Sequence, residues 1–226
     1  MNVKGRSEAD GAEGGRGRAD ASGGAEAAGA KRTKHAERSE ATRAALVGAA
    51  RPLFAERGFA GVGTEEIVRA AGVTRGALYH QFRDKQELFA AVFEQLEAEL
   101  AHRVATAGAS VGAADPLAAL RAGTDAWLDA CTEREVQRIV LLDAPAVLGS
   151  QRSREIGLRH HLGLVEVALQ AAIDAGQVAP QPVRGLAHVL IGAVDEAALY
   201  VVTAEDQAAA RAEVGGVLDR LLAVLG

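Results

Sequence analysis

Gly72-Val73-Thr74-Arg75-Gly76-Ala77-Leu78-Tyr79-His80-Gln81-Phe82, followed after Arg83 by Asp84-Lys85-Gln86-Glu87-Leu88, is dense in helix-end signals. Gly72 suits the left-handed residue that closes a helix. Thr74 is placed to cap the next helix, with Val73 and Leu78 spaced as a hydrophobic staple. Just upstream, Thr64 precedes Glu65-Glu66-Ile67-Val68, a hydroxyl cap and two acids at the start of a short helix reaching about Ala71, where unpaired amides favour both. Downstream, Asp84 with Glu87 repeats the capping-box logic. It opens a long helix through Leu88, Phe89, Val92, Phe93, Leu96 and Leu100 to about Thr106. Two short capped helices about a glycine turn make a helix-turn-helix arrangement, whose second helix is sized for a DNA major groove, although the same geometry is shared by many other helical hairpins.

Before this motif, Leu46, Ala50, Leu53 and Phe54 recur at helical spacing between Ser39 and Arg57, and Gly58 supplies the stop. Pro52 inside this helix removes a backbone donor and predicts a bend. Residues 1–37 are Gly, Ala, Ser and charge, with Val3 the only larger aliphatic residue, and are expected to be a disordered tail. The basic cluster Lys31-Arg32-Thr33-Lys34-His35 that ends it suits either phosphate contact or a solubilising role. Beyond the Gly-rich stretch 108–112, amphipathic helices are expected at 116–131, 134–142, 152–175, 183–203 and 206–225, punctuated by Gly176 and Pro180-Gln181-Pro182.

The chain has 226 residues, 49% of them hydrophobic, and its Ala and Leu content predicts an all-α fold. No apolar run is expected to reach the roughly 18 residues of a membrane span, and the polar, Gly-rich start is unlike a signal peptide. The single cysteine, Cys131, rules out an intrachain disulfide and a cysteine zinc cage, and a cytoplasmic location is expected. The net charge of -5 conceals an asymmetry: residues 1–85 hold 15 Lys+Arg against 11 Asp+Glu, or +4. The remainder holds 10 against 19, or -9. Phosphate would be met at the basic end.

The quoted string, with Phe54-Ala55-Glu56-Arg57-Gly58-Phe59 and Thr64 before it, closely resembles the DNA-binding signature of the TetR (tetracycline repressor) family over about residues 40–100. The resemblance implies a helix-turn-helix head at 38–85, linked by the long helix to a ligand-binding and dimerisation domain at 86–226. It also assigns roles. Thr64, Thr74, Tyr79 and Lys85 look like phosphate contacts. Arg75 suits a guanine, Gly76 and Ala77 allow close approach and a thymine methyl, and His80 suits a further base or phosphate. Phe54, Phe59, Leu78 and Phe82 belong to the core of the head.

In this family the later helices form a ligand chamber and the last two build a four-helix bundle with a second subunit. Stripes Leu186, Val189, Leu190, Ala193, Ala197 and Val214, Val217, Leu218, Leu221, Leu222 suit either such packing or an intrachain core. The chamber candidates are Trp127, Cys131, Leu141, Leu142, His160, Leu164 and Glu196, a mixture of apolar walls and a few polar groups. The expected partners are a palindromic double-stranded operator, a small-molecule effector and a second copy of the chain, with no membrane and no cofactor. Adjacent His160 and His161 point apart on a helix, so no paired metal site is expected there, and nothing in the spacing of Asp143, His160, His188 and Glu196 requires them to converge on one. A helical enzyme or carrier is the alternative class, but no nucleophile–base pair or phosphate loop supports it.

Overall fold

The computed structural model of the chain describes residues 21–112 and 114–225, with side chains from residue 36 onward. The chain divides into two units, residues 1–41 and 42–226. Helix α1 spans Ala21–Arg57 and contains Pro52 without ending there. Of the stretch read as a tail, residues 1–20 lie outside the described residues and residues 21–37 are helical. Ala25, Ala27 and Ala28, with Glu26, Lys31, Arg32 and Lys34, are strong helix formers, and intrinsic propensity extends the helix upstream of its apolar face.

Helices α2 (Thr64–Ala71) and α3 (Arg75–Gln81) form the hairpin. Gly72 between them is left-handed, with φ 66° and ψ 27°. Its N–H donates to the Arg69 carbonyl at 3.2 Å, and that of Val73 to Val68 at 3.0 Å, which satisfies carbonyls at the end of α2. Thr74 caps α3, its Oγ1 accepting from Ala77 N at 3.2 Å. Thr64 does not cap α2. The Gly63 carbonyl accepts from Glu66 N and Ile67 N, so Gly63 is the cap and Thr64 the first helical residue.

Helix α4 (Lys85–Val111) begins at Asp84, whose Oδ1 accepts from Glu87 N at 2.8 Å. The Glu87 carboxylate does not turn back to the cap. It takes both Arg152 guanidinium nitrogens, at 2.9 and 3.1 Å. The helix outruns the expected end near Thr106 because Gly108 lies close against α5 (Pro116–Ala130), where a Cβ would stand 3.2 Å from the Ala119 carbonyl oxygen.

The segment expected as one helix at 134–142 is short α6 (Arg134–Val136), a π-helical segment (Gln137–Asp143) and α7 (Ala144–Leu148). Ala144 N donates to Ile139 O, the five-residue step of a π turn. Pro145 follows directly; it has no N–H, and its ring crowds the carbonyl four residues back. Helices α8 (Ser150–Asp174), α9 (Val183–Thr203) and α10 (Gln207–Val224) complete the chain.

No strand occurs among the described residues, and the all-α expectation holds. Helix α4 packs against α5, α8 and α7, while α9 packs against α8, α10 and α5. One apolar cluster runs unbroken from Leu46, Phe54, Ile67 and Leu78 through Phe89 and Phe93 to Leu128, Ile139 and Leu218. A second one, around Leu117, Leu120, Leu169 and Leu222, closes the far end. Against the expectation of no span-length apolar run, α9 holds an 18-residue window of mean hydropathy 1.5 and is mostly unburied. Only Ala187, Ala198 and Val201 of this helix are buried within the single chain, and Val189 and Tyr200 stand exposed.

Candidate functional site

On the head, Arg75, Gly76, Tyr79 and His80 are exposed, and Ala77 is half-buried. A Cβ added at Gly76 would meet nothing closer than Thr74 Oγ1 at 3.9 Å, so this face of α3 is open to a large partner. Arg75 Nη1 lies 2.7 Å from Glu65 Oε1, and its guanidinium lies 5.6 Å from the Tyr79 ring centroid. Arg75 is therefore held before any partner arrives, in a pair too exposed to resist exchange. Leu78 and Phe82 point the other way and are buried. Thr64, half-buried at the start of α2, keeps its hydroxyl clear of capping.

Lys85 departs from the picture of a free surface cation. Its Nζ donates to the carbonyls of Phe59 and Val62 at 2.8 and 2.9 Å and stands 4.0 Å from the centroid of the Phe59 ring. Burial pulls its ammonium below the ordinary lysine value. One of the three ammonium N–H groups is left over from these two bonds. Lys85→Met keeps the stem and deletes the ties to the 59–62 turn, and is expected to lower unfolding free energy by about 1–3 kcal/mol in urea titration. An unchanged midpoint would refute the tie.

A cavity of about 830 Å³ lies among α4, α5, α8, α9, α10 and the π segment. Phe93, Val104, Leu164, Leu190 and Leu218 give it apolar walls. Of the chamber candidates, Trp127, Leu141 and Leu164 line it. The other four do not. Cys131 is fully buried in the packing beside it, and burial pushes its thiol up to about 12. Leu142 is 44% exposed, one position on from inward-facing Leu141 and so on a different side of the helix. His160 faces Glu94 at 3.9 Å, and Glu196 is exposed.

The ionisable lining instead comes from Glu97 on α4, Arg154 and His161 on α8, and Asp195 on α9. Glu97 is 3% exposed, and its Oε2 is 2.9 Å from His161 Nε2. The His161 ring meets Trp127 edge-on at 5.0 Å, and the buried Trp127 Nε1–H has no partner among the described residues. Burial pushes the Asp195 carboxyl up to about 6; Glu97 pushes the same way, and Arg154 and His161 oppose. These acids were legible as anomalies. Glu97 falls between Phe93 and Leu100, and Asp195 between Ile191 and Ala198, each on an inward stripe.

The cavity and the head are joined through a few polar contacts. Asp143, the last residue of the π segment, accepts from Phe59 N at 2.6 Å. Gln86 Nε2 donates to Val147 O at 2.9 Å, and Arg51 binds both Glu99 and Glu135. A Cβ at left-handed Gly58 would run into the Arg138 guanidinium, so glycine permits this close docking of head on body.

A helix-turn-helix head fused to a helical body with an internal cavity defines a DNA-binding protein of sensor architecture. Residues 46–92 match the pattern of bacterial regulatory proteins of the tetR family, and residues 117–225 that of the tetracyclin repressor-like C-terminal domain. A crystal structure of a TetR-family transcriptional regulator from Pectobacterium atrosepticum is 38% identical, covering 84% of this chain and 96% of its own, with a TM-score of 0.74. The HTH-type transcriptional regulator TtgR of Pseudomonas putida is 34% identical over 157 residues, 66% of this chain and 72% of its own. FadR of Bacillus subtilis, solved with stearoyl-CoA, shares the fold at 20% identity and a TM-score of 0.64, covering 79% of this chain and 96% of its own. The chain belongs to the TetR family, and it is a DNA-binding transcriptional regulator.

Proposed function

We propose that the protein is a homodimeric repressor that leaves a palindromic operator when a small organic molecule enters the cavity. One observation carries the coupling. The π segment and α7 supply Val140, Leu141 and Pro145 to the cavity wall, while Asp143 between them holds the backbone N–H of Phe59 in the head. A ligand pressing on that wall changes where the head is held. A coupling of roughly 1–3 kcal/mol between effector and operator would shift operator affinity about 5- to 150-fold. The protein would act by binding alone, as a cytoplasmic regulator and not an enzyme.

In this reading residues 38–85 read DNA and residues 86–226 bind effector and partner. Thr64, Thr74, Tyr79, His80 and the remaining N–H of Lys85 meet phosphates, and Arg75 leaves Glu65 for a guanine with Gly76 and Ala77 against the bases. Dimerisation through α9 and α10 covers Val189, Tyr200, Val217, Leu221 and Val224, all between 41% and 84% exposed in the single chain. Paired heads then match half-sites about 34 Å apart or a multiple of that.

Selection of random duplexes by the purified protein is expected to enrich one palindrome. Arg75→Ala should flatten the preference at one base pair of each half-site by about 1–3 kcal/mol. Failure to enrich any sequence, or an Arg75→Ala variant that retains full preference, would count against these assignments.

A further inference from the structure

Resting on the effector reading above, we infer that the cavity takes an amphipathic amine: a largely apolar body ended by a protonated nitrogen that lodges between Glu97 and Asp195. The walls exclude a strongly polar molecule, since Phe93, Val104, Leu141, Leu164, Leu190 and Leu218 surround the space. Two carboxyl groups nonetheless face it from opposite helices, α4 and α9. Asp195 has no hydrogen-bond or ion-pair partner among the described residues, and one Glu97 oxygen is bound by His161. Gly157 leaves the other side of Glu97 open; a Cβ there would come within 3.7 Å of Oε1.

A half-buried, unpartnered carboxyl beside a second one is an arrangement that opposes its own ionisation. A cation inserted between them removes that opposition, whereas an anion adds to it. Arg154, the one arginine among the lining residues, is solvent-exposed, and His161 is already engaged with Glu97. The Trp127 indole also lines the cavity. Its face suits a cation, and its unpartnered Nε1–H offers a donor to a heteroatom on the ligand body. The groups facing Asp195 are thus Glu97 from α4, Arg154 and His161 from α8, and the neutral Cys131 thiol.

The test uses one body with three ends: 4-phenylbutylamine, 4-phenylbutan-1-ol and 4-phenylbutyrate, titrated calorimetrically into the full-length protein at pH 7.5. The amine is expected to bind roughly 10- to 100-fold tighter than the alcohol, with the carboxylate weakest. Asp195→Asn and Glu97→Gln, each checked for cooperative melting, should collapse the preference for amine over alcohol. At pH 5 the amine should weaken as Asp195 takes up a proton. An alcohol or carboxylate that binds as tightly, an amine that does not bind, or variants that keep the preference would overturn the inference. Operator release is scored separately with labelled DNA. Amine binding without release would sink the repressor mechanism and leave the ligand class standing; release by carboxylates alone would do the reverse.

Discussion

Phe89→Ala is expected to lower the unfolding free energy by about 3–5 kcal/mol, loosening the join between the head and α4. Phe89 is fully buried on the first turns of α4. Its ring meets Phe54 of α1 and Phe59 of the following turn edge-on, at centroid distances of 5.3 and 5.4 Å. Such edge-to-face pairs add about 0.5–1.5 kcal/mol each beyond area burial. The site resists collapse after truncation, because Lys85 above Phe59 and Asp143 on the Phe59 backbone fix the surrounding turn. Urea unfolding should report a lower midpoint for Phe89→Ala, and Phe89→Leu should recover more than half of the loss. A loss under about 1 kcal/mol would show that the aromatic cluster is not what fastens the head to the body.

Asp195→Asn is expected to act in the opposite direction, raising stability by about 2–3 kcal/mol at pH 7.5. The folded-state carboxyl titrates at about 6 against an ordinary value of 3.8. As pH rises from 4, the unfolded chain therefore loses this proton first. Folding stability falls through the interval up to 6 and stays low above it. Asparagine has no proton to lose and escapes the penalty. Melting curves of the two proteins should coincide near pH 3.5 and separate progressively to about pH 7. Equal melting at pH 7.5 would mean that Asp195 ionises without strain. A variant that melts higher yet discriminates amines less well is the signature of a residue kept for binding at the expense of stability.

The carboxylates Asp84 and Glu87 at the start of α4 act in the opposite direction. The backbone N–H of Glu87 foremost holds the Asp84 carboxyl below its ordinary value, and Arg152 does the same for Glu87. These contributions are present above the ordinary carboxylate range and are lost as pH falls through it. The start of α4 is then weakened in acid, where the penalty at Asp195 is relieved.

What the sequence determined by itself rests on neighbours a few residues apart. Gly72, Thr74 and Asp84 fix helix ends through bonds spanning three to five residues, and the apolar stripes fix which face turns inward. The order of helices, the helix-turn-helix and the buried faces of Phe54, Leu78 and Phe82 were legible for that reason. Thr64 was misplaced by one residue, because a cap is defined by which carbonyl starts the ladder, and Gly63 supplies it.

The tertiary structure decided what converges from distant segments. Trp127, Leu141 and Leu164 reach the cavity while Cys131, Leu142, His160 and Glu196 do not, because which face of α5, α8, α9 and the π segment meets the cavity is set by how these helices pack. Lys85 became a tie to Phe59 and Val62, since only the folded chain presents carbonyls there. Glu97, His161 and Asp195 came together from three helices. Local periodicity specifies which face of a helix is buried; the partner that face meets depends on how the helices pack.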